Sequence, residues 1–330
     1  MAAATGSGMD ALAGRTLAIS TSETPDLMTL GLLDGEDRRV LRAVLTPLVY
    51  HGARVAYGGR IDTKSKTNFT KEIGGQLAEA YRRAEIQSGV RPMIHYLRAS
   101  DARKTDQTMS KEEKLFRHCR QLGWASEIRL FDDMNLVARL LPTGEIVDVV
   151  LSGQEKIAVS NAAELGALPA IAALLAPAGT KDDLTSLRTL MARDTDARIV
   201  MSGWLKTDEG GHSGIAEEAL LTLAASKPLF VIGGVGGASR DVAGALGLID
   251  AADLIVRTES RPVYEQQLAE LKTWADKYRA WATEKGLWDA VLRLANSDSP
   301  REIGELILQL LLRAGVTSLP PQPPPAAAGA

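Results

Sequence analysis

The stretch that decides the fold covers residues 184–246, LTSLRTLMARDTDARIVMSGWLKTDEGGHSGIAEEALLTLAASKPLFVIGGVGGASRDVAGAL. Two short apolar runs, 197–201 and 228–232, each end in a glycine-containing turn, and a helical pattern follows each turn. Runs this short, rich in Val and Ile and bounded by Gly, suit strands buried on both faces of a parallel sheet. Glycine permits φ > 0 and lets another group approach the backbone with no Cβ in the way. The helix start beyond each turn offers free N–H groups and partial positive charge, a seat for phosphate or carboxylate. The first turn also carries two acids, Glu217 and Glu218, into the opening of its helix.

Outward from this stretch the same alternation continues. Residues 15–20 (RTLAIS) read as a first strand that ends in Ser20, Thr21 and Ser22. Small hydroxyl residues there can meet phosphate or ribose at the carboxyl end of a parallel strand, or simply cap a turn. A helical stripe over 37–51 leads to a strand at 54–57 and the turn Gly58-Gly59-Arg60, then to a helix over 71–82. Arg60 can reach a phosphate or serve as a solvated loop charge. Further strands are predicted at 91–97 and 125–131, a short apolar element at 136–141 and a last strand at 253–256. The polar run 98–114 reads as an exposed insertion or flap, long for a connection in a compact domain. Helices are expected over 161–175 and 184–193. The expected fold is therefore α/β, a single Rossmann-like, doubly wound and mostly parallel sheet of about six or seven strands, with a C-terminal helical extension.

That extension is predicted as one long amphipathic helix over 263–296, with Trp274, Trp281 and Trp288 at heptad spacing along one stripe. Gly286 can bend or break it. The stripe reads as a packing face that seals a core or a subunit contact, not as a ligand site. A final helix is expected from Pro300 to Ala314. Residues 1–13 read as a loose lead-in and 317–330 as a disordered Pro/Ala tail, with a nucleotide-binding domain over 14–258 and helices over 259–316.

Composition narrows the function classes. The chain has 330 residues, 45% hydrophobic and 24% charged, with a formal net charge of −3. Such a balance gives no basic footprint for nucleic acid. No apolar run approaches the roughly 18 residues of a membrane span. The opening residues lack the basic and apolar regions of a secretory signal, and the single cysteine, Cys119, fits a reducing cytoplasm. Four scattered histidines show no metal-ligand spacing, so no metal is expected. The second glycine turn, 233–240, departs from strict GxGxxG spacing, and the region after it has no His or Tyr–Lys pair for hydride chemistry. Its four glycines predict close approach to the backbone, by a ligand more readily than by packing.

Residues 210–218 (GGHSGIAEE) resemble the PGGxGTxEE signature of the LOG-type nucleotide phosphoribohydrolases. Arg188 and Met191 stand where that family carries its RKxxM motif. The proline is missing, one extra residue precedes Gly214, and Ile215 replaces the Thr. The run from Gly210 to Arg240, with EEALL, KPL and GGVGGASR in order, is similar to the SLOG domains of bacterial conflict systems, often found beside TIR domains. This resemblance implies binding of a nucleotide or an NAD-derived, ADP-ribose-like signal, no other cofactor, a homo-oligomer, and a separate effector protein as partner. It implies ligand contacts from Ser20, Thr21, Ser22, Gly58, Gly59, Arg60, Gly203, Gly210, Gly211, Gly214, Gly233, Gly234 and Gly236. If the chain is an enzyme, the LOG likeness implies cleavage of a nucleotide N-glycosidic bond. Glu218 or Glu217 would face the developing oxocarbenium charge, and Arg188 would hold the phosphate in a shared pocket. The altered loop favours sensing over hydrolysis, because catalysis tolerates such changes less well than binding does. An interaction module built on the tryptophan stripe is the third reading.

Overall fold

The computed structural model describes residues 11–59, 68–83, 90–104, 108–152, 154–176, 184–205, 213–257 and 261–314. They divide into two compact units: one from 11–19 and 41–195, the other from 20–40 and 196–314. The class is α/β, the strands are mostly parallel, and the organisation is Rossmann-like, as the alternation predicts.

In the first unit, β1 (Thr16–Ser20), β2 (Arg54–Gly58), β3 (Met93–Arg98) and β4 (Ser126–Asp132) run parallel in that spatial order. All six residues of β3 are buried, because helices cover both of its faces. Ile94 and Tyr96 pack with Ala56 and Phe131 under Leu187, Leu190 and Met191 of α7 (Leu184–Asp194). The alternate residues of β3 face α2 (Phe69–Arg83) and α4 (Lys111–Leu122). Gly74 of α2 lies against Met93 and Leu122, and His95 meets His118 of α4. Helix α1 (Glu36–Tyr50) leads from the second unit's segment into β2.

Beyond β4 the sheet continues as an antiparallel meander, β5 (Asn135–Thr143), β6 (Ile146–Leu151) and β7 (Ile157–Val159). The apolar element expected at 136–141 is thus part of β5, while β6 and β7 were not anticipated. The β4–β5 and β5–β6 hairpins turn on positive φ, at Asp133 (53°) and Gly144 (81°). The run 98–114 is ordered where described, as the short helix α3 (Ala99–Arg103) and the start of α4. Ser110 and Glu113 cap α4 reciprocally, each side chain bonded to the other's backbone N–H. The helix expected over 161–175 is two, α5 (Ala162–Ala167) and α6 (Pro169–Leu175), because Pro169 cannot continue the first and starts the second.

In the second unit, β8 (Ala197–Met201) and β9 (Leu229–Ile232) are parallel and fully buried, joined by α8 (Gly214–Ala224). Helix α9 (Ala238–Ala245) follows β9. The strand expected at 253–256 does not form; a 3-10 turn at Ala251–Asp253 and extended chain take its place. The single helix expected over 263–296 is three helices: α10 (Pro262–Lys272), α11 (Ala275–Glu284) and α12 (Trp288–Asn296). The second break falls at Gly286, with φ +65°. The tryptophans therefore do not share one helix face. Trp274 and Trp281 are buried inside this unit, Trp281 near Phe230 and Tyr278, and Trp288 lies under the Arg279 guanidinium. Helix α13 (Pro300–Ala314) closes the described chain at the expected bounds. No helix among the described residues is long and apolar enough to cross a membrane.

Candidate ligand site

The chemistry-bearing residues of the second unit gather where β8 ends and α8 begins. Ser202, the first residue after β8, is fully buried and held in the left-handed region at φ 56°. A non-glycine residue there stores backbone strain of about 1–3 kcal/mol, which persists only where the surroundings over-determine it. Here they do. Its carbonyl accepts from Ser239 N–H at 3.0 Å, and the next carbonyl, of Gly203, accepts from Ala238 N–H at 3.0 Å. The Ser202 hydroxyl has no hydrogen-bond partner among the described residues.

Ser22 grips the same turn from the other side. Its carbonyl accepts from Gly203 N–H at 3.2 Å, and its Oγ accepts from Trp204 N–H at 3.0 Å. Ser213, fully buried at the start of α8, donates from Oγ to the Trp204 carbonyl at 3.4 Å. Its own N–H donates to Gln267 Oε1 on α10 at 3.0 Å. Intrahelical bonding in α8 begins at Glu217 N–H, on the Ser213 carbonyl. The preceding amides, Gly214 among them, open the helix where its dipole is positive. Gly203, at φ +105°, is required twice over, since a Cβ there would also stand 2.4 Å from Ile215 Cγ1.

A buried arginine links two of the expected site residues, and sequence reading missed it. Arg198, the second residue of β8, is fully buried. Its Nη1 donates to Ser20 Oγ at 2.6 Å and to Glu218 Oε2 at 3.0 Å, and its Nε donates to Thr222 Oγ1 at 2.8 Å. Glu218 is thus committed to an ion pair with Arg198. The signal was available: a lone cation inside the buried run ARIVM demands a partner. Glu217, one position earlier, is itself buried on the first turn of α8.

The second glycine turn uses its open backbone differently from the ligand approach expected of it. A Cβ on Gly234 would lie 2.0 Å from the Ser297 carbonyl oxygen, and one on Gly233 would lie 2.8 Å from that of Ala295. On Gly236 it would meet Asp26 Cβ at 2.7 Å, and on Gly237 the Gly203 oxygen at 2.5 Å. The close approach these glycines permit is made by the chain itself. The start of α9 is also filled from within. Asp26 Oδ2 accepts from Gly237 N–H at 2.7 Å, and its carboxylate takes both Nη1 and Nη2 of Arg257 at 2.8 Å. Burial pushes the Asp26 carboxyl up, but the Arg257 and Gly237 bonds outweigh it and hold the group below its ordinary range. Asp241 takes longer bonds of 3.2 Å from Arg257 and a 2.8 Å bond from the Tyr264 hydroxyl. There burial wins, and the Asp241 carboxyl is raised. Gly234→Ala is expected to destabilise the protein by at least the roughly 1–3 kcal/mol of core overpacking, since the obstacle is backbone. Chemical denaturation measures this, and an unchanged midpoint would refute the packing role.

The remaining expected site residues, Thr21 of the second unit apart, lie in the first unit or outside the described residues. Gly58 ends β2, where a Cβ would stand 2.8 Å from Met191 Sδ, so its smallness seats α7. The Met191 noted in the motif is a core residue, 1% exposed. Gly59 lies against Thr70, and its carbonyl is bonded by His95 Nε2 at 3.0 Å. Arg188 is half-buried on α7. Thr21 is buried directly after β1. Arg60, Gly210 and Gly211 fall outside the described residues. Among the described residues no group of acids, histidines or cysteines could hold a metal ion.

Parallel strands joined through helices, with a strained turn and a helix start after β8, define a Rossmann-like α/β protein. The chain belongs to the SLOG cluster2 family, whose sequence model matches residues 11–135 and 161–291, well over half of it. The gap between the two matched stretches carries nearly all of the antiparallel meander β5–β7. No curated protein and no solved structure matches the chain.

Proposed function

We propose that the second unit binds a nucleotide or an NAD-derived, ADP-ribose-like anion, and that it senses this ligand without cleaving it. Ser20, Thr21, Ser22, Ser202, Gly203 and the α8 start at Gly214 form the binding surface. The observation that carries the reading is the strained Ser202: a buried hydroxyl with no partner among the described residues, set beside Ser22 and the first turn of α8. Strain of this kind clusters at ligand clamps and switch regions. Hydroxyl and amide donors at a strand's carboxyl end are the groups that phosphate and ribose oxygens require.

The state of Glu218 supports sensing over hydrolysis. An N-glycosidase needs a carboxylate to face the ribose as positive charge develops there. Glu218 instead faces a permanent cation at 3.0 Å, which already answers its charge. In this reading the ligand-bound protein, a cytoplasmic homo-oligomer, acts on a separate effector protein of an antiphage conflict system, as the family likeness suggests.

The test is incubation of the pure protein with NAD, ADP-ribose and AMP, with calorimetry for binding and chromatography for products. Binding of at least one compound without release of base or nicotinamide is expected, and Glu218→Gln retains that binding. Steady release of free base by the wild type, lost by orders of magnitude in Glu218→Gln, would establish the N-glycosidase instead.

A further inference from the structure

Resting on the binding reading above, we propose that Trp204 stacks against the heterocyclic base of the ligand, so that the site selects a base-bearing nucleotide over a bare sugar phosphate. Trp204 follows Ser202 and Gly203 directly and is 47% exposed. The other tryptophans of its unit are engaged, two in the core and Trp288 beneath Arg279 at 4.9 Å. In the first unit Trp124, also exposed, meets the Tyr81 ring at 5.3 Å. Among the described residues no aromatic ring and no cation faces the Trp204 indole.

The indole stands on a pinned backbone. Its own N–H is held by Ser22 Oγ and its carbonyl by Ser213 Oγ, the residues that border the binding surface. The preceding Gly203 is bonded through both its N–H and its carbonyl. A large apolar ring left half in water contributes little to folding, and fixing its backbone in advance lowers the entropy cost of binding a partner to it. The flat partner that fits a site of hydroxyl and amide donors is a nucleobase, whose π-face stacks on an aromatic side chain whatever its sequence of ring substituents.

The experiment compares ADP-ribose with ribose 5-phosphate on the full chain, by calorimetry and tryptophan fluorescence. Trp204→Ala is expected to weaken ADP-ribose binding by about 10- to 100-fold. Ribose 5-phosphate, which has no base, should change by less than about twofold, and Trp204→Phe should keep most of the affinity for ADP-ribose. ADP-ribose should quench emission in the wild type and leave Trp204→Phe largely unquenched. Equal ADP-ribose affinity in wild type and Trp204→Ala overturns the stacking while leaving the binding site intact. Equal loss for both compounds also overturns it, since the residue would then shape the site without reading the base. If the wild type binds neither compound, the binding reading falls and the stacking falls with it.

Discussion

Replacing Arg198 with methionine is expected to destabilise the protein by about 3–5 kcal/mol, on the order of 10 °C in Tm. The guanidinium is fully buried, and its bonds reach Ser20, Glu218 and Thr222. Methionine fills much of the same volume, so the loss is electrostatic. It leaves the Glu218 carboxylate, whose side chain is only 15% exposed, without its cation, and two hydroxyls without an anchor. Removing one partner of a buried pair costs far more than the pair contributes, because the remaining charge stays desolvated. The double variant Arg198→Met/Glu218→Gln should therefore recover part of the loss, a coupling that a double-mutant cycle reads directly. Denaturant titration of the four proteins checks this. A single-variant loss below 1 kcal/mol, or strict additivity, would show that Arg198 is not the anchor of this strand end.

Acid is the second route to a large effect, acting in the first unit. The Gly59 carbonyl can only accept, so His95 Nε2 carries the proton that bonds it at 3.0 Å. His95 Nδ1 is then an acceptor, and His118 Nε2–H donates to it at 3.0 Å. Both rings are neutral and fully buried. Burial drives the His95 pKa down to about 4, against smaller upward contributions from the Gly59 bond and Asp101. Burial also drives His118 well below its ordinary value, helped by His95, Lys71 and Lys114.

A base whose folded pKa is depressed takes up its proton only on unfolding, once the pH falls below the unfolded value. The stability is therefore complete above pH ~6.5 and declines as the pH falls toward 4. His95 alone accounts for about 3 kcal/mol across that window, and His118 acts in the same direction. Glu127 extends the loss to lower pH. Burial raises its carboxyl, but bonds from Arg139 and Arg129 and the nearby Arg54 charge outweigh this and hold it at about 2. A depressed carboxyl contributes above its unfolded pKa and loses that contribution as the pH falls through the folded value, here from about 4.5 to 2. Denaturation free energies measured from pH 8 to 3 should thus begin to fall near 6.5. In a His95→Gln/His118→Gln variant the limb between 6.5 and 4 should flatten. An unchanged slope in that variant would remove the histidine pair as its cause.

The chain's α/β class, its parallel strand–turn–helix units and the bounds of most elements were legible in the sequence, as β8 and α13 illustrate. They follow from periodicity and glycine placement, which act over a few residues and need no knowledge of distant neighbours. The family was legible too, because its signature is a contiguous run. The errors of local reading fell where two local signals competed. Pro169 and Gly286 each split an apolar stripe that periodicity joined, and the chain around Gly144 turned into a hairpin in a stretch to which no element was assigned.

What the sequence alone determined, then, was where turns free of Cβ occur and which hydroxyls and acids stand beside them. What only the tertiary structure decided was what fills the space those turns leave. Gly233 and Gly234 admit the backbone at the end of α12, about sixty residues away, and Asp26, more than two hundred residues from Gly237, takes the start of α9. The commitment of Glu218 to Arg198 and the strain at Ser202 were likewise invisible beforehand. Glycine and charge announce that a partner must come close. Which partner comes is settled by long-range packing, where chain segments and ligands compete for the same volume and the same donors.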